Sequence, residues 1–129
     1  MAFKIWKIAL LVDDTAAAER LYVDTLGMTV LDRLDLSSMG VAGEAVFLDG
    51  GGVQLELIPT AAFAGAPDRL TQPGVHHISF KADDVAATQA ALQAQGVAFI
   101  KEAFSPLPGM TLAFFEGGAG VNLQLFNQQ

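Results

Sequence analysis

The segment HISFKADD at residues 77–84 has a counterpart earlier in the chain, KIALLVDD at residues 7–14. Each copy carries apolar residues suited to a β-strand and ends in two aspartates suited to begin a helix. VQLEL at residues 53–57 likewise matches VNLQL at residues 121–125. The two shifts are 70 residues, from 7 to 77, and 68 residues, from 56 to 124. An internal repeat of strand, helix and three strands is therefore the main organisational signal.

Local patterns divide each copy into the same elements. In the first copy, the helix begins at Asp14 or Thr15, ends at Gly27, and has apolar positions at Ala18, Leu21, Tyr22 and Leu26. Tyr22 and the helix leucines are expected to lie in the core. A connector rich in proline and alanine, residues 59–73, separates the copies. The predicted strands are 3–12, 28–36, 45–49 and 53–58, then 75–82, 97–102, 110–116 and 121–126; the second helix spans 83–95, and turns occupy 50–52 and 117–120.

Composition narrows the class of protein. The chain has 129 residues, 52% of them hydrophobic, which suits one domain spanning 1–129. A formal charge of −7 without a basic cluster argues against nucleic acid and anionic membrane surfaces as partners. The absence of cysteine excludes disulfides, thiolate metal sites and a cysteine nucleophile. With neither a signal peptide nor an apolar run of about 20 residues, we expect a cytoplasmic protein.

The duplicated pattern resembles the vicinal oxygen chelate superfamily, which includes glyoxalases, extradiol dioxygenases, methylmalonyl-CoA epimerases and bleomycin-resistance proteins. The resemblance is carried by the strand ends LVDD and KADD, the helix end LYVDTLG at 21–27, and the turns FLDGG at 47–51 and FFEGG at 114–118. It implies an α+β fold of two tandem βαβββ modules forming a cupped mixed sheet with helices on the outer face. Module one would span about 3–58 and module two about 74–127, and the protein would form a homodimer.

The resemblance also implies where a site would lie. Family metal ligands come from the first and fourth strands of each module, which here carry Lys7, Glu56, His77 and Gln124. Strand alternation agrees, because all four fall on the face opposite the aliphatic residues that would pack against helices. Ser79 and Asn122 extend that face, so the expected ligand-binding set is Lys7, Glu56, His77, Ser79, Asn122 and Gln124.

The chemistry at these positions leaves two interpretations open. His77, Glu56 and Gln124 could hold one divalent metal (Zn, Ni, Mn or Fe) that stabilises an enediolate, with Glu56 or Lys7 moving a proton. Lys7 departs from the family pattern, because a protonated ammonium has no lone pair for a metal and repels a cation. It would instead pair with Glu56 and offer its charge to a ligand, or lose its proton and act as a base or nucleophile.

Structural roles compete with functional ones at several positions. His77 could be a hydrogen-bonded structural residue, and Glu56 and Gln124 could be solvated outer-face residues. His76 falls on the other face by alternation and is expected to be structural. The sequence thus favours a glyoxalase/bleomycin-resistance-like small-molecule-binding protein with an impaired or absent metal site. The alternatives are a metal-dependent lyase, isomerase or epimerase and, third, a ring-cleaving dioxygenase, whose iron triad would be incomplete.

Overall fold

The computed structural model describes residues 2–117 and 122–129. Most of the turn expected at 117–120, and Val121 at the start of the last strand, lie outside these residues. The strands are β1 (Ile5–Val12), β2 (Thr29–Asp35), β3 (Glu44–Asp49), β4 (Gln54–Pro59), β5 (Gly74–Lys81), β6 (Phe99–Phe104), β7 (Met110–Glu116) and β8 (Asn122–Gln128). The helices are α1 (Thr15–Glu19), which continues as a π-helical segment (Arg20–Thr25), and α2 (Val85–Ala94). Short 3₁₀ turns occupy Ser37–Met39, Thr60–Phe63 and Asp68–Leu70.

The chain divides into two compact units. The N-unit is Lys7–His76, and the C-unit is Met1–Trp6 together with His77–Gln129. The connector and the start of β5 therefore pack with module one, whereas the residues before Lys7 pack with module two. The residues before Lys7 pack with module two through Trp6, whose ring centre lies 4.5 Å from that of Phe126 and 4.6 Å from the Lys81 ammonium.

The N-unit is a mixed four-stranded arrangement in the order β2-β3-β4-β1. β1 runs parallel to β4, while β3 runs antiparallel to both β2 and β4. The predicted glycine turn joins β3 to β4, with Gly51 and Gly52 at φ of 82° and 120°, a region that favours glycine. Asp14 caps α1 as predicted, its carboxylate accepting from the Ala17 amide at 2.9 Å.

The helical segment of the N-unit departs from the predicted apolar pattern. Ala18, Tyr22 and Val23 pack on the sheet, whereas Leu21 and Leu26 are 48% and 56% exposed. The cause is the π-helical turn, in which the Leu26 amide donates to the Leu21 carbonyl five residues earlier at 2.9 Å. One extra residue per turn rotates the following side chains, so a 3.6-residue period misassigns them. The core prediction for Leu21 and Leu26 was wrong for this reason.

The C-unit repeats the arrangement in the order β5-β8-β7-β6. β5 and β8 are parallel, and the other neighbours are antiparallel. Asp84 caps α2 through the Ala87 amide at 3.0 Å. Helix residues Val85 and Leu92 pack against a buried apolar face of β7 and β8, namely Ala113, Phe115 and Leu125.

Each unit therefore has a helix covering one face of its strands and leaves the opposite face to the residues predicted to be functional. This confirms the α+β class and the tandem βαβββ modules. No helix in the described part of the chain has the length and apolarity needed to cross a bilayer.

Candidate functional site

Lys7 and Glu56 form a buried ion pair in the N-unit. Glu56 on β4 is the register partner of Ala9 on β1, and Lys7, two residues before Ala9, shares its face. The Lys7 ammonium donates a hydrogen bond to Glu56 Oε1. The residues are 3% and 4% exposed, so the alternative that Glu56 is a solvated surface residue is wrong.

The surroundings of this pair are mainly apolar. Phe47 lies directly opposite Glu56 in the β3/β4 ladder, and the Lys7 ammonium sits 5.4 Å from the centre of its ring. The same face continues into a buried cluster of Ala9, Leu11, Ala45 and Ile58, onto which Ala62 and Phe63 of the connector pack. In such surroundings the charges lose most of their hydration, so each depends on the other.

His76 fastens the connector to the N-unit. Its Nε2 donates to the Leu70 carbonyl at 2.7 Å, because a carbonyl only accepts, and its ring centre lies 4.1 Å from that of Phe63. Burial lowers the pKa of His76, the hydrogen bond to Leu70 opposes that shift, and the positive charge of Lys7 adds to it. The net shift favours the neutral form of this histidine, and its contacts with Leu70 and Phe63 suit the structural role predicted for it.

A second group of buried polar residues lies in the C-unit. Ser79 on β5 and Gln124 on β8 are register partners, and Ser79 Oγ donates to Gln124 Oε1 at 2.5 Å. His77 and Asn122 lie on the same face of these strands by alternation. Exposures of 2% for His77, 0% for Ser79, 8% for Asn122 and 2% for Gln124 show that the group is buried.

Aromatic residues complete this polar face. The Phe114 ring contacts His77 edge-on, with ring centres 5.3 Å apart at 81°. Phe114 is the register partner of Gln124 and stacks with Phe104, whose ring carries the Lys101 ammonium 3.9 Å above it.

Two aromatic positions escaped the sequence analysis. Phe47 lies opposite Glu56, and Phe114 lies opposite Gln124, so each predicted fourth-strand position faces a third-strand phenylalanine. The signal was present in FLDGG and FFEGG, which each begin with the phenylalanine concerned. Those motifs were used to recognise turns, and their first residue was left without a role.

The predicted site residues thus form two groups, each within its own unit. Lys7 contacts Glu56, and Ser79 contacts Gln124. These groups occupy corresponding strands of a duplicated module.

The sequence model of the Glyoxalase/Bleomycin resistance protein/Dioxygenase superfamily matches residues 7–125, nearly the whole chain. The chain belongs to this superfamily. The match begins at Lys7 and spans both groups of buried polar residues.

Relatives of this superfamily member match along its length. The uncharacterized protein YwbC of Bacillus subtilis (strain 168) is 32% identical over 133 aligned residues, covering 99% of this chain and 100% of the relative. Among solved structures, hypothetical protein BH1468 from Bacillus halodurans C-125 has a TM-score of 0.76 at 24% identity, covering 100% of this chain and 96% of that one. Methylmalonyl-CoA epimerase from Mycobacterium tuberculosis has a TM-score of 0.72 at 21% identity, with coverages of 97% and 87%. At these identities the structures show a shared fold.

The donor set of module one fits poorly with the divalent metals used in the superfamily. Lys7 stands where the resemblance places a metal ligand, and its ammonium engages the Glu56 carboxylate directly. A protonated ammonium has no lone pair to donate. In residues 2–117 and 122–129, moreover, no three His, Cys, Asp or Glu side chains lie together in a way that could hold a metal ion.

Proposed function

We propose that this superfamily member binds a small organic molecule without a metal, using the Lys7–Glu56 pair as the polar floor of module one. The observation that carries the proposal is the burial of that pair, at 3% and 4% exposure, on the face predicted to hold the site. Burying two charges costs several kcal/mol per ion before their attraction is counted, on the order of the whole stability of a small domain. A solvated pair or two aliphatic residues would serve a purely structural role at lower cost.

The Lys7–Glu56 pair offers both a hydrogen-bond donor and a hydrogen-bond acceptor to a ligand. The ammonium can donate to a ligand carbonyl or hydroxyl oxygen, and the carboxylate can accept from a ligand hydroxyl or amide. Phe47 beside the pair and the apolar cluster containing Leu11 and Ile58 would contact the apolar part of the same molecule. The ligand class that fits is therefore small, oxygenated and partly apolar.

From the repeat we extend the proposed ligand contacts to module two. His77, Ser79, Asn122 and Gln124 offer an imidazole, a hydroxyl and two carboxamides on one buried face. We also expect the protein to form a homodimer, which light scattering would test. A cytoplasmic location and a single domain over residues 1–129 are expected as well.

Metal analysis tests the metal-free part of the proposal. Protein purified without an affinity tag is expected to carry no stoichiometric metal, and nickel, zinc, manganese and iron are expected to leave its melting temperature unchanged. Stoichiometric metal that is lost in His77→Ala would overturn the proposal and favour the metal-dependent lyase, isomerase or epimerase. The Lys7→His variant is expected to gain metal affinity, whereas Lys4→His, which places a histidine at an exposed position three residues earlier in the chain, controls for histidine content.

Ligand binding tests the remaining part. A thermal-shift screen of small carbonyl, hydroxyl and aromatic compounds is expected to yield stabilising ligands for the parent protein. The same compounds should lose their effect in the Lys7→Met/Glu56→Leu double variant. Ligands that stabilise both proteins equally would place binding elsewhere and contradict the assignment of this pair.

A further inference from the structure

Lys7 is unlike the other lysines of the chain. Lys4 and Lys81 are exposed and Lys101 is half-buried, whereas Lys7 is buried with its amine against a carboxylate. Lysine is almost never buried unless it is paired. The amine therefore lies in an environment where water is scarce and the Glu56 carboxylate is in contact.

An amine beside a carboxylate is the minimal machinery for forming an imine with a carbonyl compound. The amine supplies the nucleophile, and the carboxylate removes and returns the protons that addition and dehydration require. We propose that Lys7 is a nucleophile that forms an imine with a small uncharged aldehyde or ketone, with Glu56 as its acid and base. This inference rests on the proposed function, because it requires a small molecule to reach the pair.

The step balances without a further reactant. Glu56 takes one proton from the Lys7 ammonium, and the neutral amine adds to the carbonyl carbon, forming a carbon–nitrogen bond. A second nitrogen proton moves to the carbonyl oxygen, giving a carbinolamine. Glu56 then returns its proton to the hydroxyl, the carbon–oxygen bond breaks, and water leaves. The products are a protonated imine on Lys7, ionised Glu56 and one water molecule.

The surroundings favour this chemistry for an uncharged carbonyl compound. A ligand carboxylate close to Glu56 would meet a like charge in apolar surroundings, whereas an uncharged ligand would not. Leu11, Ile58 and Phe47 lie on the same face as the pair and suit an alkyl or aryl substituent. Limited access of water would also slow hydrolysis of the imine once it has formed.

Reductive trapping distinguishes a reactive Lys7 from a structural one. The full-length protein is treated briefly with propanal and sodium cyanoborohydride, which reduces an imine on a lysine to a stable N-propyl-lysine. Peptide mass spectrometry then measures the labelling at each lysine. Chymotrypsin cleavage after Trp6 separates Lys4 from Lys7. We expect Lys7 to be labelled at least about tenfold faster than the exposed lysines, a threshold set below the roughly 10²–10⁴-fold that a positioned acid or base contributes.

A structural Lys7 predicts the opposite order. Buried at 3% exposure, it would be the slowest lysine to react. Labelling of Lys7 no faster than that of Lys4 or Lys81 overturns the proposal. Since this ranking uses the unmodified sequence, it holds even if a variant fails to fold.

A matched pair of variants tests the role of Glu56. Glu56→Gln is expected to reduce labelling of Lys7 by at least about tenfold while Lys4 is unaffected. Glu19→Gln, which neutralises the carboxylate of an exposed ion pair with Arg33, is expected to leave Lys7 labelling unchanged. Fast labelling of Lys7 in a folded Glu56→Gln protein would remove Glu56 from the mechanism. If Lys7 proves unreactive while ligands still stabilise the protein, imine formation fails and the proposed binding function stands.

Discussion

Replacing Lys7 by methionine is expected to destabilise the protein strongly. Methionine matches the length of lysine but leaves the Glu56 carboxylate without its cation. The side chain of Glu56 is only 6% exposed, so water cannot restore the lost interaction. Removing one partner of a buried ion pair typically costs about 3–5 kcal/mol, a large share of the roughly 5–15 kcal/mol that holds a domain folded. Glu56→Leu should cost a similar amount by leaving the Lys7 ammonium unpaired.

The double variant gives the sharper result. Lys7→Met/Glu56→Leu removes both charges and replaces them with apolar side chains of comparable size. Such replacements are often neutral or stabilising, so the double variant should recover most of the stability lost in either single variant. The coupling energy, obtained from the three variants and the parent, should exceed about 3 kcal/mol in magnitude, because each single variant loses about 3 kcal/mol or more and the double variant regains most of that loss.

Urea unfolding followed by circular dichroism provides the measurement. The Glu19→Gln variant serves as the control, because its ion pair with Arg33 is solvent-exposed and should contribute far less. The reasoning is refuted if the two single losses simply add in the double variant. It is also refuted if each single variant loses less than about 1 kcal/mol, the ordinary value of a surface ion pair.

Three further predictions concern other parts of the chain. Ser79→Ala should lower the free energy of unfolding, measured with urea, by about 1–3 kcal/mol, because it removes the donor to the buried Gln124 oxygen. A loss near zero would contradict that hydrogen bond. Burial lowers the pKa of His76 in the folded state from 6.5, so below that pH the unfolded state binds more protons than the folded state does. The free energy of unfolding should therefore fall as the pH drops through 6.5 toward the pKa of the folded state. His76→Gln should flatten this part of the stability profile, and an unchanged profile would exclude His76 as its source. Leu57→Ala should cost about 2–5 kcal/mol, whereas Leu26→Ala should stay within about 0.5 kcal/mol, and equal losses would place Leu26 in the core.

The regular parts of the fold were predictable because strand geometry ties each residue to a face. Because side chains two residues apart in a strand lie on the same face of the sheet, Lys7 and Ala9 share one face, and so do Glu56 and Ile58. The duplicated motif supplied a second, independent copy of each assignment. Predicted and observed strand ends consequently differ by no more than two residues in the described part of the chain.

The parts that sequence did not predict depend on contacts distant along the chain. The π-helical turn that exposes Leu26 changes the helical period, and no local signal in LYVDTLG marks it. The connector was predicted as a loop from its prolines, but the complete burial of Leu70 and its hydrogen bond with His76 depend on the folded strands. Alternation also could not show that Lys7 influences the pKa of His76, because proximity in three dimensions follows from packing.

The two modules supply different hydrogen-bond donors to the side chains at their equivalent fourth-strand positions, Glu56 and Gln124. Glu56 carries a charge and receives an ammonium from Lys7, whereas Gln124 is its neutral counterpart and receives a hydroxyl from Ser79. In each unit the donor comes from the strand that lies parallel to the acceptor strand. A metal bound by Glu56 would therefore have to displace an ammonium that is already in contact, at the cost of leaving Lys7 buried and unpaired. A change at Lys7, such as Lys7→His, would remove this competition, whereas histidines added elsewhere would leave it in place.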